Sequence, residues 1–316
     1  MNRDSGCRSW RTGRTELLAL SLLVTACGST AHLDTPADSG LPDGATSGDS
    51  GQDSGIEDGG IDAGLADAGS PDAGPDAGTT YPYGYGCSAQ QDATGLVRRS
   101  AMGADQMMHE YYSYVPSSYD AGWDIPLVVS LHGSGDTARD FITLWETNAD
   151  QNDFMVLVPE ASGTSGDGFT WLVPTDIGVV LTAIEDISRC YRTDLHRHIL
   201  HGFSAGGILG YIMGLLPSDV MFSGLAISSS DLGTAEYFAQ RFSLPPLLPS
   251  GWNIPVSISH GLQDPNFPFA IAAEGSRDAL LDAGHTVYFN VFDGGHTISE
   301  AEVLQQWNDL KSSEAP

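Results

Sequence analysis

A short glycine-rich segment carries the residues best suited to nucleophilic chemistry. The segment HGFSAGG, residues 201–207, contains GFSAG, a G-x-S-x-G pattern centred on Ser204. Such a serine lies on a sharp turn between a strand and a helix, which requires small residues two positions before and after it. A serine hydroxyl is a weak nucleophile, so it needs a histidine to accept its proton and an acid to orient that histidine.

The chain supplies both partners downstream, each after an apolar run. VSISHG leads toward Asp264, and YFNVF leads toward His296 behind two glycines. The order serine, acid, histidine is that of the α/β-hydrolase nucleophile elbow. We therefore predict that Ser204 is the nucleophile, His296 the general base and Asp264 the acid.

Other acids and histidines compete for the same roles. Asp231 follows the next strand after the elbow, a position that some α/β-hydrolases use for the acid. Asp293 is too close to His296 in sequence to face its ring easily. His260 lies inside a strand and His285 at the start of one, so we interpret both as structural.

The negative charge that develops on a substrate oxygen needs two convergent N–H donors. One should be the backbone N–H of Ala205, the residue after the nucleophile. The other should come from the loop HGSG, residues 132–135, and we predict Gly133 or Ser134.

Three histidines near the elbow raise a metal site as an alternative. His196 and His198 would share one face of a strand, whereas His201 would not, so a site with three ligands is disfavoured. We predict neither a metal nor a cofactor.

Strand and helix patterns alternate through residues 81–316, which predicts an α/β fold with a mostly parallel sheet and helices on both faces. The predicted strands are residues 108–116, 125–131, 154–160, 196–200, 222–230, 254–261 and 285–292, and the predicted helices are residues 138–152, 178–191, 206–216, 272–284 and 299–311. Asp176 is the expected N-cap of the second helix. Residues 232–253 show no recognisable pattern.

These motifs resemble those of secreted esterases of the α/β-hydrolase superfamily, similar to poly(3-hydroxybutyrate) depolymerases and feruloyl or acetylxylan esterases. The resemblance runs from Gly86 to Trp307 and rests on YVPSSYD, PLVVSLHGSG, Trp171, CYRTDLHRHILHGFSAGG, SHGLQDPNFPF and DGGHTI. It implies the same catalytic assignments and an oxyanion loop at 132–135. Trp171 and His132 are the expected substrate-binding residues, and 232–253 is a candidate lid or substrate wall.

The cysteines divide between the amino-terminal region and the domain. Cys7 and Cys27 precede the domain, which leaves Cys87 and Cys190 within it. Two cysteines allow one pairing, and the resemblance implies a disulfide at these places. Two free thiols are the alternative.

The amino-terminal region predicts export. Four arginines precede the apolar run LLALSLLVTAC, which ends at Cys27 and is too short to span a bilayer. VTAC resembles a bacterial lipobox, which implies a signal peptide at 1–26, lipidation of Cys27 and an outer-membrane or cell-surface location. Cleavage near Ala26 to give a secreted protein is the alternative.

Residues 27–80 read as a disordered Asp/Gly/Ala-rich linker. From 28 to 80 the chain has no Lys, Arg or aromatic residue and 11 acidic residues. It cannot bury enough apolar surface to offset its ordering entropy. Calcium binding by the DSG and DAG repeats is the alternative, disfavoured because the units are irregular.

The charge balance limits the partners. The chain has a formal net charge of −28, and residues 81–316 contain 28 acidic and 9 basic residues. Such a surface repels nucleic acid. We expect a monomeric serine carboxylesterase that acts on a polymeric or small ester and meets a membrane only through its lipid. A peptidase and a non-catalytic binding protein with a relict site are the alternatives.

Overall fold

The structure, a computed structural model, describes residues 87, 93–216, 222–249 and 253–315, all within one unit that spans residues 70–316. Within them no helix is both long enough and apolar enough to cross a membrane. The predicted signal peptide, the predicted lipidation site at Cys27 and the predicted linker at 27–80 lie outside the described residues.

Strands and helices alternate along the described chain. The strands are β1 Gly95–Met102, β2 Met108–Val115, β3 Ile125–Leu131, β4 Met155–Pro159, β5 Gly163–Ser165, β6 Gly168–Thr170, β7 Thr193–Phe203, β8 Gly224–Ser228, β9 Val256–Gly261 and β10 Val287–Phe292. The helices are α1 Ala138–Phe141, α2 Thr143–Asn152, α3 Thr175–Cys190, α4 Ala205–Leu215, α5 Leu232–Arg241, α6 Phe269–Asp282 and α7 Glu300–Leu310.

One large sheet organises these elements. Its order is β1-β2-β4-β3-β7-β8-β9-β10. β2 is antiparallel to both of its neighbours, and every pair from β4 to β10 is parallel. The predicted α/β class with a mostly parallel sheet is confirmed. Because β3, β7, β9 and β10 run the same way, the loops that follow them emerge at one edge of the sheet.

Apolar side chains cover both faces of the central strands. In β3, Leu127 and Val129 join one buried cluster with residues of α3 and α4. Val128, between them, joins the other cluster with Trp145 of α2 and Trp307 of α7. This explains why the run IPLVVSL is almost entirely apolar, since a central parallel strand has no solvent face.

Several elements differ from the sequence-based prediction. The predicted helix at 138–152 is divided at Ile142 into α1 and α2. β1 and the short hairpin β5–β6 were not predicted, and 232–253 contains α5, capped by Asp231, which accepts hydrogen bonds from Gly233 N and Thr234 N.

The prediction of Asp176 as an N-cap was wrong. α3 begins one residue earlier, at Thr175, and Asp176 lies buried inside its first turn. Its carboxylate accepts hydrogen bonds from Leu172 N at 2.8 Å and Ser162 Oγ at 2.5 Å. The acid therefore ties the preceding loop to the helix.

A disulfide joins Cys87 to Cys190 at the end of α3, the pairing predicted from the sequence. Arg99 lies beside it, with Nη2 2.8 Å from Cys190 Sγ, and pairs with Asp186 at 3.2 Å. The bridge fixes residue 87 against a buried helix end.

Buried histidines of β7 are held without charge. His201 Nδ1 lies 2.9 Å from Ser130 Oγ and its Nε2 3.3 Å from Ser228 Oγ. Burial lowers the pKa of His201 to about 3 and that of His198 to about 4. His196 is exposed whereas His198 is buried, and the β3–β7 pairing is irregular between Thr193 and His198.

Replacing both bridged cysteines, Cys87→Ser and Cys190→Ser, should lower the free energy of unfolding by about 4–5 kcal/mol, because the bridge closes a loop of roughly a hundred residues in the unfolded chain. Urea denaturation of the double variant and the oxidised wild type measures this difference. Equal stabilities would show that the bridge contributes nothing.

Acid should destabilise the protein through the buried histidines. Their folded pKa values lie below the unfolded value of about 6.5, so the unfolded state binds more protons as the pH falls from about 7 toward 4. His198 alone should contribute about 2 kcal/mol to this loss by pH 4.5. The urea midpoint should therefore fall less between pH 7 and pH 4.5 in His198→Leu than in the wild type. An equal pH dependence in both proteins contradicts the assignment.

Candidate active site

Ser204 lies on the sharp turn between β7 and α4. Its backbone has φ 55° and ψ −119°, a left-handed conformation that a non-glycine residue adopts at a cost of about 1–3 kcal/mol. A Cβ at residue 202 would lie 2.3 Å from Gly206 O, and one at residue 206 would lie 2.3 Å from Leu131 O. Both flanking positions therefore require glycine.

The predicted base contacts this serine, and the predicted acid contacts the base. His296 Nε2 lies 2.8 Å from Ser204 Oγ, and His296 Nδ1 lies 2.8 Å from Asp264 Oδ2. A single imidazole thus connects a hydroxyl and a carboxylate, which is the geometry needed for proton transfer from the serine.

The carboxylate of Asp264 is inaccessible to solvent. Its second oxygen, Oδ1, is held by backbone amides. Oδ1 accepts from Asn266 N at 2.8 Å and from Phe267 N at 2.9 Å. Burial alone would raise the pKa of Asp264, but hydrogen bonds from Phe267 and His296 hold that pKa below its ordinary value. The group is therefore ionised beside the imidazole.

Two aromatic rings contact the imidazole of His296. The Phe203 ring is stacked at a centroid distance of 5.1 Å, and the Phe267 ring is tilted at 5.7 Å. Phe203 directly precedes Ser204 and occupies the first x of the G-x-S-x-G pattern. Phe267 belongs to the turn that holds Asp264. The base is thus packed against the segments that carry its two partners.

The competing residues have other roles. Asp231 caps α5, and the side chain of Asp293 hydrogen-bonds to Gln263. His285 lies at the opposite end of β10 and contacts Ile254 O at 2.8 Å. His260 is buried beside Asp264 and does not contact Ser204.

The structure distinguishes the two oxyanion donors that were predicted in the loop at 132–135. Gly133 N already donates to Asp136 Oδ2 at 3.2 Å, so this amide is committed. In the described part of the chain, the N–H groups of Ser134 and Ala205 have no such hydrogen bond. The geometry therefore favours Ser134 over Gly133 as the partner of Ala205.

The β5–β6 hairpin holds this loop in place. Ser134 Oγ lies 3.0 Å from Thr170 Oγ1. Gly135 N donates to Phe169 O at 2.8 Å, and Phe169 N donates to Asp136 O at 2.9 Å. Sequence reasoning missed the hairpin because its strands are only three residues long. The paired glycines at 166 and 168 are the one signal that marks it.

The two predicted substrate-binding residues lie inside the protein. His132 is fully buried, with Nδ1 2.8 Å from Gly133 O and Nε2 3.1 Å from Glu160 Oε1. The expectation that it binds substrate was wrong, because both nitrogens are engaged below the loop. Trp171 is 8 % exposed and donates from Nε1 to His132 O at 2.8 Å, so its indole mainly supports the loop.

The three described histidines His196, His198 and His201 do not form a metal site. His201 is bonded to two serines, and His196 and His198 differ in exposure. In the described ranges, no three His, Cys, Asp or Glu side chains are grouped so that they could hold a metal ion.

Comparison with known proteins identifies the fold. No family model matches the chain, and no curated protein matches it. Among solved structures, a thermostable esterase matches with TM-score 0.50 and 18% identity over 70% of this chain and 63% of its own. The esterase Est2 of Thermogutta terrifontis matches with TM-score 0.51 and 16% identity over 72% and 98%.

Peptidases share the same architecture. An acylaminoacyl peptidase matches with TM-score 0.52 and 17% identity over 67% of this chain, but over only 40% of its own length. The chain thus spans less than two thirds of the thermostable esterase and of this peptidase. These likenesses, with the sheet order and the elbow, show that the chain has the α/β-hydrolase fold.

Asp264→Asn should lower kcat by about 10⁴-fold, because an amide would favour the wrong tautomer of His296. Hydrolysis of a p-nitrophenyl ester measures the effect, and circular dichroism checks the fold. Asp293→Asn is the matched control, since it alters an acid in the same histidine loop, and it should keep most of its activity. Similar losses in both variants contradict the assignment of Asp264.

Proposed function

We propose that the protein is a serine hydrolase that cleaves carboxylic esters through an acyl-enzyme. The observation that carries this proposal is the hydrogen-bonded path from Asp264 through His296 to Ser204 Oγ, with 2.8 Å at each step. The strained turn at Ser204 supports it, because such strain persists where the surrounding structure imposes a functional geometry.

The proposed reaction has two stages. Ser204 Oγ attacks the ester carbonyl carbon while His296 Nε2 takes the hydroxyl proton. The N–H groups of Ala205 and Ser134 hold the negatively charged oxygen of the tetrahedral intermediate. The intermediate collapses to the acyl-enzyme, and the departing alcohol takes the proton back from His296. Water, deprotonated by His296, then releases the carboxylic acid and restores Ser204.

Neutral extracellular esters are the proposed substrates, such as polyhydroxyalkanoate oligomers or feruloyl and acetyl esters of polysaccharides. The motif resemblance to esterases of these classes supports this choice. The excess of 28 acidic over 9 basic residues in 81–316 also disfavours anionic substrates.

An exported, lipid-anchored protein is the proposed cellular form, with secretion as the alternative. The Cys87–Cys190 disulfide supports export, because disulfides persist in oxidising compartments. A monomer tethered through Cys27 and the acidic linker would carry the site outside the membrane.

Peptide-bond hydrolysis is the second candidate. The likeness to an acylaminoacyl peptidase supports it, and the same triad can attack an amide. Ester and amide substrates with matched acyl groups separate the two activities, since a peptidase should release the amide at a rate that rivals the ester.

The wild type should hydrolyse at least one ester in a panel of acetyl, feruloyl and hydroxybutyrate substrates. Ser204→Ala should reduce that rate by about 10⁴-fold or more, because the nucleophile is removed. Ser223→Ala is the matched control, a buried serine at the opposite end of the sheet that contacts His198 O at 3.1 Å. It should retain activity.

Two results would contradict the proposal. Undiminished hydrolysis by Ser204→Ala excludes this serine as the nucleophile. Absence of hydrolysis in the wild type, together with no labelling of Ser204 by a fluorophosphonate, instead supports a binding protein with a relict site.

A further inference from the structure

His260 lies directly behind the acid of the site. Its side chain, on β9, is fully buried. Nε2 lies 2.8 Å from Phe267 O and 3.5 Å from Asp264 Oδ2. Because a carbonyl oxygen only accepts, Nε2 carries a proton and donates it to Phe267 O. The same N–H places its positive end beside the carboxylate oxygen that faces His296.

The second ring nitrogen of His260 makes no hydrogen bond within the described part of the chain. Among the described residues, His260 Nδ1 is buried without a hydrogen-bond partner. An unsatisfied buried polar atom costs about 1–3 kcal/mol, so a purely structural position is better filled by an apolar side chain. The contact at Nε2 is therefore the feature that a histidine supplies here.

That contact holds the turn that orients Asp264. The amides of Asn266 and Phe267 bind Asp264 Oδ1, which leaves Oδ2 for His296. His260 donates a hydrogen bond to the carbonyl oxygen of Phe267, and the amide of the same residue binds Oδ1. The Phe267 ring, carried by the same residue, contacts the imidazole of His296. A shift of this one residue would therefore disturb both the acid and the base.

We propose that His260 is a positioning residue whose Nε2–H fixes the 264–267 turn and supports the negative charge of Asp264 Oδ2, so that Asp264 keeps His296 aligned with Ser204. This inference rests on the proposed serine-hydrolase function. His260 acts through Asp264 and Phe267 and touches no reacting atom.

The test compares His260→Gln with His260→Asn and His260→Leu. Gln can place an amide donor near the position of Nε2, whereas Asn is too short and Leu has no donor. His260→Leu and His260→Asn should lower kcat by about 10²-fold, the loss expected from a misplacement of about 1 Å, with KM little changed. His260→Gln should recover a large part of kcat.

His285 offers a matched control on the adjacent strand segment. It is also buried, and its Nδ1 lies 2.8 Å from a backbone carbonyl oxygen, that of Ile254, but it lies at the opposite end of the sheet. His285→Leu should lower the thermal midpoint and leave kcat unchanged. A loss of kcat equal to that of His260→Leu would assign both residues a merely structural role.

A spectroscopic readout separates this inference from the proposed function. The low-field proton resonance of the Asp264–His296 hydrogen bond can be recorded without substrate. It should shift or broaden in His260→Leu and His260→Asn, and match the wild type in His285→Leu. If the wild type hydrolyses no ester and the resonance still responds in this way, the hydrolase proposal fails and the positioning role stands.

Two further outcomes overturn the positioning role. One is a wild-type resonance and kcat in His260→Leu. The other is an equal kcat in His260→Gln and His260→Asn, because a donor long enough to contact Phe267 O would then make no difference. This second outcome is decisive even where His260→Leu does not fold.

Discussion

The close packing at the Ser204 turn is the constraint on which the rest of the site depends. The strand ends and the helix begins within one residue, which is possible only because residues 202 and 206 lack side chains. This turn lifts the hydroxyl above the sheet edge and leaves the N–H of Ala205 at the start of α4. The other components need only reach that fixed point.

The sheet determines how they reach it. β7 is central, with β3 on one side and β8, β9 and β10 on the other. Parallel strands bring the loop at 132–135, the turn at 264–267 and the loop of His296 to the same edge from distant parts of the chain. Hydrogen bonds then hold each piece locally: the β5–β6 hairpin contacts the loop at Ser134, the amides of 266 and 267 bind Asp264, and His260 contacts Phe267 O.

Much of this architecture was predictable from the sequence, because buried strands are long apolar runs and the site residues follow them directly. Ser204, Asp264 and His296 were identified in this way, and the structure brings them together. β1, β5 and β6 are weakly apolar or very short and left no periodic signal, whereas α5 was missed although Leu232, Ala235 and Ala239 recur on one helical face. The wrong assignments, His132 and Asp176, are polar residues in loops or helix starts whose burial depends on distant contacts.

The most direct measurement of the central claim is peptide mapping of the acyl-enzyme. The protein is mixed with a slowly hydrolysed ester, quenched in acid, digested and analysed by mass spectrometry. The account predicts that the peptide containing Ser204 gains the mass of the acyl group and that the added mass disappears as hydrolysis is completed. An acyl group on another residue, or ester turnover with no covalent intermediate at any time of quenching, would contradict it.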